Sequence, residues 1–321
     1  MRIQNLCLSV FLLTAACSDG KDTGPVEEVQ GDCDISITKT WPADGATGVY
    51  HRDPIEFTLS EPDSTATLEA DFTGTQTISE DGLLISYTPD PPLDPDTTYT
   101  VTMSYCFATP QVSFTTSSLG TPLESGVSLG GMTWLQDPSE GEYTQGSGLV
   151  ANMAAVFDRA LLVAVSASDG SSMDWRLGVA DEAEELQDEC FRTIDVEGID
   201  LSEPPFFQFA ETQINVEAFN GELHLYDVLV EGTLSADGTT FGGLHYAITV
   251  DLADLVEVMK VADVDTLCEL ATNLGSDCGP CPSGGADSCT TVEARGLIGE
   301  ATTASVVEVL KPDEVEGCEE E

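Results

Sequence analysis

The cysteines are the residues of this sequence whose spacing most directly suggests chemistry. Cys278 and Cys281 are separated by two residues, which is the spacing of a redox-active dithiol. Such a dithiol needs a helix that begins at the motif, because a helix N-terminus lowers the thiol pKa. Here the motif is followed by Pro-Ser-Gly-Gly, which is a poor start for a helix, and the carboxylates of Asp277 and Asp287 would raise a thiol pKa. We therefore predict structural disulfides at these positions.

A zinc site is the second chemistry to weigh for this region. Four cysteines lie close together in the sequence, at Cys268, Cys278, Cys281 and Cys289. Strong zinc sites combine two close cysteine pairs, whereas only one pair here has that spacing. Export into an oxidising compartment, argued below, also favours disulfides over thiolates. We expect no metal site and no cofactor.

Eight of the ten cysteines are disulfide candidates. Cys7 would leave with an N-terminal signal segment and Cys17 would carry lipid, so the remaining number is even, as expected for a fully bridged exported chain. The sequence does not choose among the pairings of the six candidates that follow residue 117. The candidates are Cys33, Cys106, Cys190, Cys268, Cys278, Cys281, Cys289 and Cys318.

A serine nucleophile is suggested by residues 126–130, which read Gly-Val-Ser-Leu-Gly. In hydrolases this pattern places the serine on a sharp turn between a buried strand and a helix. Here an interdomain linker precedes the motif, and Gly131 followed by Met132-Thr133-Trp134 reads as a strand, so we interpret this region as the first strand of a second domain. His224 and His245 alternate with apolar residues in predicted strands, and His51 lies in a predicted turn. We predict no catalytic residue and no enzymatic activity, because no base, orienting acid and nucleophile share one context.

The charge balance excludes several classes of partner. The chain has 10 lysines and arginines against 58 aspartates and glutamates, which gives a formal net charge of −48. Such a field repels phosphate backbones and anionic headgroups, so neither nucleic-acid binding nor a polybasic membrane surface is expected. The acids are spread along the chain and form no calcium-loop pattern, which favours a solvated acidic surface.

Residues 1–16 are typical of an export signal. The apolar stretch Leu6–Ala16 is too short to span a bilayer and suits the core of a signal peptide. It ends in Leu-Thr-Ala-Ala-Cys, which resembles the lipobox of bacterial lipoproteins, although Thr14 departs from the usual small or apolar residue. The resemblance implies that Cys17 carries a diacylglyceryl group and an acyl chain. The alternative is an ordinary cleaved signal with Cys17 incidental.

The segment after Cys17 is predicted to be a tether. Residues 17–32 are acidic and contain no aromatic residue, so they have nothing to bury. We expect the protein to be held by its lipid anchor at the outer membrane or cell surface, with the periplasmic face as the alternative.

Residues 33–117 alternate apolar and polar side chains, and turn residues interrupt them at intervals typical of a β-sandwich. Characteristic pieces recur in order: Pro42-x-Asp44-Gly45-Ala46, Ile55-x-Phe57-x-Leu59 and Leu93-x-Pro95-x-Thr97-x-Tyr99. At these residues the chain resembles the S-layer-type bacterial Ig-like domain. The resemblance implies a spacer or binding module on a bacterial surface. Cys33 and Cys106, which many relatives lack, are placed to bridge the start of the chain to the domain body.

Residues 118–321 are predicted to form a second, antiparallel β-rich domain, which we assign to no family. Two hairpins are indicated, one turning at Asp169-Gly170 and one at Asp237-Gly238. Apolar residues at helical spacing between Leu252 and Leu274 predict one or two short helices. A disulfide-rich loop, a final strand near Thr291–Ile298 and an acidic tail follow.

The fold class predicted is therefore mainly β, with an Ig-like β-sandwich followed by a second β-rich domain. The function that we expect is that of a surface binding or structural module. Its partners would be the membrane, through the lipid anchor, and a cell-envelope or extracellular protein or glycan. The alternative is a secreted enzyme whose thiol–disulfide or hydrolytic chemistry lies in residues 118–321.

Overall fold

A computed structural model describes residues 34–106, 108–146, 159–218, 221–257, 259–284 and 287–318. The predicted signal segment, Cys17, the tether and Cys33 lie outside these residues. Residues Ile35–Glu321 form one compact unit. Across the described ranges the chain is mainly β, as predicted, and carries a single α-helix, α1, at Val264–Asn273.

The first part of the compact unit is a β-sandwich of two four-stranded sheets. One sheet has the order β1-β3-β6-β5, the other the order β2-β8-β7-β4, and all pairings are antiparallel except β2 with β8. Alternating side chains such as Phe57, Ile85 and Phe114 point inward and are fully buried between the sheets. The strands are β1 Ile37–Trp41, β2 Thr47–Val49, β3 Ile55–Leu59, β4 Thr67–Ala70, β5 Gly74–Ile78, β6 Leu84–Pro89, β7 Thr98–Ser104 and β8 Gln111–Thr116.

The second part is a closed antiparallel barrel. The sheet runs β10-β17-β16-β15-β14-β13-β12-β11-β9, and it closes because β9 pairs with both β11 and β17. Both predicted hairpins are confirmed, as β11–β12 and β15–β16. The strands are β9 Thr133–Gln136, β10 Glu142–Gln145, β11 Leu161–Ser168, β12 Ser172–Val179, β13 Ile194–Asp200, β14 Phe206–Ala218, β15 Gly221–Leu234, β16 Thr240–Asp251 and β17 Cys289–Thr302.

The barrel interior is a packed aromatic core. Trp134, Phe207 and Phe241 are fully buried, and the ring of Phe241 meets those of Trp134 and Phe207 edge to face, with centroids 5.5 and 6.2 Å apart. The backbone of β17 also packs directly against this core, because a Cβ atom built on Gly299 would lie 2.3 Å from the Phe241 ring. The interior is therefore filled by side chains, as in other small barrels.

Helical turns cover part of the barrel surface. The predicted short helices are confirmed as a 3-10 turn at Leu252–Leu255 and as α1. The side chain of Asp263 caps α1 by accepting a hydrogen bond from the backbone N–H of Thr266 at 2.9 Å. Leu252 and Leu255 pack against Leu267 of α1 in a small cluster of their own. Two further 3-10 turns lie at Pro138–Glu140 and Pro312–Glu314.

The predicted first strand of the second part is confirmed at Thr133-Trp134, where β9 begins, but residues 126–130 do not belong to it. They form turns and irregular backbone before the strand. Gly126 and Gly131 have φ of 95° and 83°, a left-handed backbone that cannot continue an extended strand. Conversely, the predicted final strand is longer than expected, since β17 extends from Cys289 to Thr302.

Among the described residues, no helix combines the length and apolar character that crossing a bilayer would require.

Candidate functional site

The cysteines of the second part are joined in three disulfides. Cys190 is bonded to Cys318, Cys268 to Cys278, and Cys281 to Cys289. The first of these ties the C-terminal tail to the barrel. In the sandwich, Cys106 is also disulfide-bonded. Its predicted partner Cys33 lies outside the described residues, so that pairing stays a prediction.

The disulfide pattern separates the two cysteines of the Cys-x-x-Cys motif. A redox dithiol requires Cys278 and Cys281 to bond to each other, but each bonds to a different cysteine. In the part of the chain that the structure describes, one group of potential metal ligands lies within 4.8 Å: Asp251, Cys281 and Cys289. The two sulfurs of that group are bonded to each other, so they offer no thiolate to a metal ion.

The serine and two of the histidines singled out in the sequence are dispersed. Ser128 lies exposed in the turns before β9. His51 is buried in the sandwich, and burial lowers the pKa of its imidazole to about 4, which keeps it neutral. His224 lies on β15 with Nδ1 2.9 Å from Asp254 Oδ2, and this hydrogen bond raises the pKa of the imidazole.

The third histidine, His245, belongs to a cluster of charged side chains where the sandwich meets the barrel. We call this cluster the polar junction. Tyr50 packs there against bare backbone, because a Cβ built on Gly243 (φ +60°) would lie 2.4 Å from the tyrosine ring. The junction consists of Trp41, Arg52, Asp53 and Glu56 from the sandwich and of Glu142, Phe206, Glu231, His245, Glu293 and Arg295 from the barrel.

His245 lies on β16 between two carboxylates from the neighbouring strands. Its Nδ1 is 3.3 Å from Glu231 Oε1 on β15, and its Nε2 is 3.2 Å from Glu293 Oε1 on β17. Glu231 faces His245 directly in the strand register. Hydrogen bonds to these carboxylates, Glu231 first, raise the pKa of His245 to about 9. The imidazole is therefore charged at neutral pH, and it lowers the pKa of Glu293 in return.

Arg295 carries a second buried positive charge across the junction. Only 7% of this residue is exposed, and its Nη1 lies 2.9 Å from Glu56 Oε2 of the sandwich. Its Nε is 3.5 Å from Glu142 Oε2 of the barrel, and the guanidinium carbon lies 4.3 Å from the centre of the Trp41 ring. The planar guanidinium thus joins an ion pair and an aromatic face of the sandwich to a strand of the barrel.

Asp53 is the most constrained carboxyl of the junction. The residue is 9% exposed, and its Oδ2 has no hydrogen-bond partner among the described residues. Burial raises the pKa of this carboxyl to about 7, against the opposing attraction of Arg295 and His245. A cavity of about 90 Å³ lies beside Asp53 and is also lined by Arg52. The guanidinium carbon of Arg52 lies 3.4 Å from the centre of the Phe206 ring.

Sequence reasoning identified His245 only as a cross-strand residue, which is confirmed, and missed the rest of the junction. The local strand pattern placed it beside apolar neighbours and gave no sign of Asp53 or Arg295. A signal is visible afterwards in β17, where Glu293 and Arg295 lie two residues apart and so face the same side of the strand.

Comparison with known proteins identifies the first part only. Residues 33–116 match the family model of the bacterial Ig-like domain, which confirms the resemblance in this part of the chain. No curated protein matches the sequence.

Solved structures give weak similarities to L,D-transpeptidases. One is L,D-transpeptidase 3 from Mycobacterium tuberculosis, with 20% identity and a TM-score of 0.20, where the match covers 26% of this chain and 37% of that chain. Another is an L,D-transpeptidase from Mycobacterium smegmatis, with 15% identity and a TM-score of 0.23, covering 46% of this chain and 76% of that one. Similarity at this level supports no inference about the present chain.

Proposed function

We propose that this protein is an exported, lipid-anchored cell-envelope protein whose sandwich and barrel act together as a surface binding or structural module. The observation that carries the proposal is the bacterial Ig-like domain at residues 33–116, held in one compact unit with the barrel. Domains of this kind point to a surface or structural role. The disulfides agree with an oxidising compartment, where such bonds persist.

The architecture supports rigid presentation rather than an internal binding cavity. The barrel interior is occupied by Trp134, Phe207 and Phe241, so a ligand would meet the outer surface of the module. The junction joins the two parts through the ion pair of the buried Arg295 with Glu56 and through the contact of Arg295 with the Trp41 ring, which resist relative movement. A cell-envelope or extracellular protein, or a glycan, is the kind of partner that we propose for this surface.

The anchor is supported by the sequence of residues 1–32. An apolar signal core ends at a lipobox-like segment before Cys17, and an acidic stretch without aromatic residues separates that cysteine from the sandwich. Several acyl chains at about 0.8 kcal/mol per buried CH₂ hold a protein at a membrane without a spanning helix.

The anchor is tested by metabolic labelling of cells with an alkyne-bearing fatty acid, followed by membrane fractionation. The full chain should be labelled and should sediment with membranes, whereas Cys17→Ala should lose the label. Cys7→Ala is the matched control and should behave like the native chain, because Cys7 lies within the removed segment. Label retained by Cys17→Ala would contradict the proposal. Protease added to intact cells would then report whether the module faces outward.

A further inference from the structure

The polar junction brings titratable groups from both sides of one interface within reach of each other. From the sandwich come Asp53, Glu56, the phenol of Tyr50 and the cations Arg52 and Lys39, the last paired with Glu142. Burial first, and then the charge of Asp53, raises the pKa of Tyr50. From the barrel come groups on four strands: Glu142 on β10, Glu231 on β15, His245 on β16, and Glu293 and Arg295 on β17. The protonation state of this cluster therefore affects how well the two parts fit.

His245 can satisfy its surroundings only when it is protonated. A neutral imidazole donates from one nitrogen and presents a lone pair at the other. Both nitrogens of His245 face carboxylate oxygens, Glu231 Oε1 and Glu293 Oε1. Loss of the proton would leave one carboxylate facing a lone pair, in a site where the side chain is only 25% exposed. Deprotonation therefore weakens the barrel side of the junction.

The proton on His245 serves the barrel alone, because Glu231 and Glu293 are both barrel residues. Asp53 is the group whose ionisation depends on the contact between sandwich and barrel. Its ionised form would be buried with one oxygen unpartnered, which is unfavourable in a site of low polarity. Arg295 offsets this only in part, because its guanidinium is already shared between Glu56 and Glu142. Separation of sandwich and barrel would expose Asp53 to water, so ionisation of Asp53 favours separation.

We propose that the polar junction is a proton-operated latch, in which the proton on Asp53 holds the sandwich against the barrel and its loss loosens the contact. This inference goes beyond the proposed function and does not depend on the lipid anchor, since every group involved lies in the compact unit. Asp53 binds its proton more tightly in the closed junction than it would in water, where its pKa is 3.8. The latch should therefore weaken progressively as the pH rises above that value, and the contribution of the proton should be lost once the pH has risen through about 7.

Hydrogen exchange of the full chain, measured by mass spectrometry at about pH 6 and pH 8.5 and corrected for the intrinsic rate, tests the latch. In the native chain, peptides covering β3 and β16 should open about tenfold more readily at the higher pH, as proton linkage through Asp53 requires. Asp53→Asn cannot ionise and should show the same protection at both values. Native protection that does not depend on pH, or a dependence retained by Asp53→Asn, would overturn the proposal.

Two further variants complete the experiment. His224→Gln removes a histidine paired with a carboxylate outside the junction and should behave like the native chain. Asp53→Ser also cannot ionise and should show the same protection at both pH values. This variant keeps the test decisive if Asp53→Asn fails to fold. A dependence on pH retained by Asp53→Ser would overturn the proposal.

Discussion

The cysteine-rich loop and the polar junction are the two regions of this molecule where reactive side chains gather, and they are built in opposite ways. In the loop, Cys278 and Cys281 come from one short segment, and each bonds to a different, nearby cysteine. In the junction, Asp53, His245 and Arg295 come from distant segments and meet only because the sandwich lies on the barrel. The loop has a recognisable motif and no free thiolate among these cysteines. The junction has no motif and a set of strongly perturbed charges.

This comparison shows that the partners of a side chain decide its chemistry more than its immediate sequence does. The pKa of His245 is raised to about 9 and that of His51 is lowered to about 4, although both residues belong to the same compact unit. Hydrogen bonds to two carboxylates raise the pKa of His245, whereas burial without such a partner lowers the pKa of His51.

The largest effect should come from removing the arginine that crosses the junction. Arg295→Met leaves Glu56 without its partner across the junction, while Glu142 keeps only Lys39, which should lower the free energy of unfolding by about 3 kcal/mol. Arg176→Met is the matched control, since Arg176 also pairs with two carboxylates, Asp195 and Glu308, but at the surface. It should cost about 1 kcal/mol or less. Denaturant unfolding measures both, and equal losses would refute the special role of the junction.

A smaller effect is expected from opening the loop. The double variant Cys281→Ser, Cys289→Ser removes a bridge with a sequence separation of 8, and chain entropy predicts a loss of about 2.5 kcal/mol. Because no dithiol forms between Cys278 and Cys281, the native chain and the variant should reduce a disulfide substrate at the same background rate. Reductase activity that the double variant abolishes would instead restore redox chemistry to the loop.

The third effect depends on pH. The pKa of His245 is raised on folding, so its contribution to stability is fully present below about 6.5 and is lost as the pH rises through about 9. The native chain should therefore melt at a higher temperature than His245→Gln at pH 6, and this difference should shrink towards pH 9.5. A difference in melting temperature that is constant with pH would show that the residue contributes packing alone.

Much of the fold could be predicted from local pattern. Alternation gave the sandwich strands, Asp169-Gly170 marked the first barrel hairpin, and helical spacing marked the region of α1. The closure of the barrel could not be predicted, because β9 and β17 are far apart in sequence and their pairing has no local signature. Residues 126–130 do not join the first barrel strand, because Gly126, at the start of this segment, and Gly131, just after it, have positive φ.

The candidate site was predictable only in its cysteines. That they form disulfides was expected from their even number and the predicted export signal, while the pairings required the fold. His245 shows the limit more clearly: its strand position was predictable, but both of its carboxylates come from strands brought alongside by the barrel register. Asp53 of the sandwich is far from His245 and Arg295 in the sequence. No local pattern could therefore predict that these residues meet.

The most direct test of this account is an NMR titration of the histidine ring protons in the full chain, with His245→Gln used to assign the signal. The account predicts a midpoint near 9 for His245, because two carboxylates hold its proton in the closed junction. A midpoint near 6.5, the ordinary value for histidine, would show that these carboxylates do not bracket the ring. The barrel side of the junction would then lack the buried positive charge on β16, and the account of this site would be contradicted.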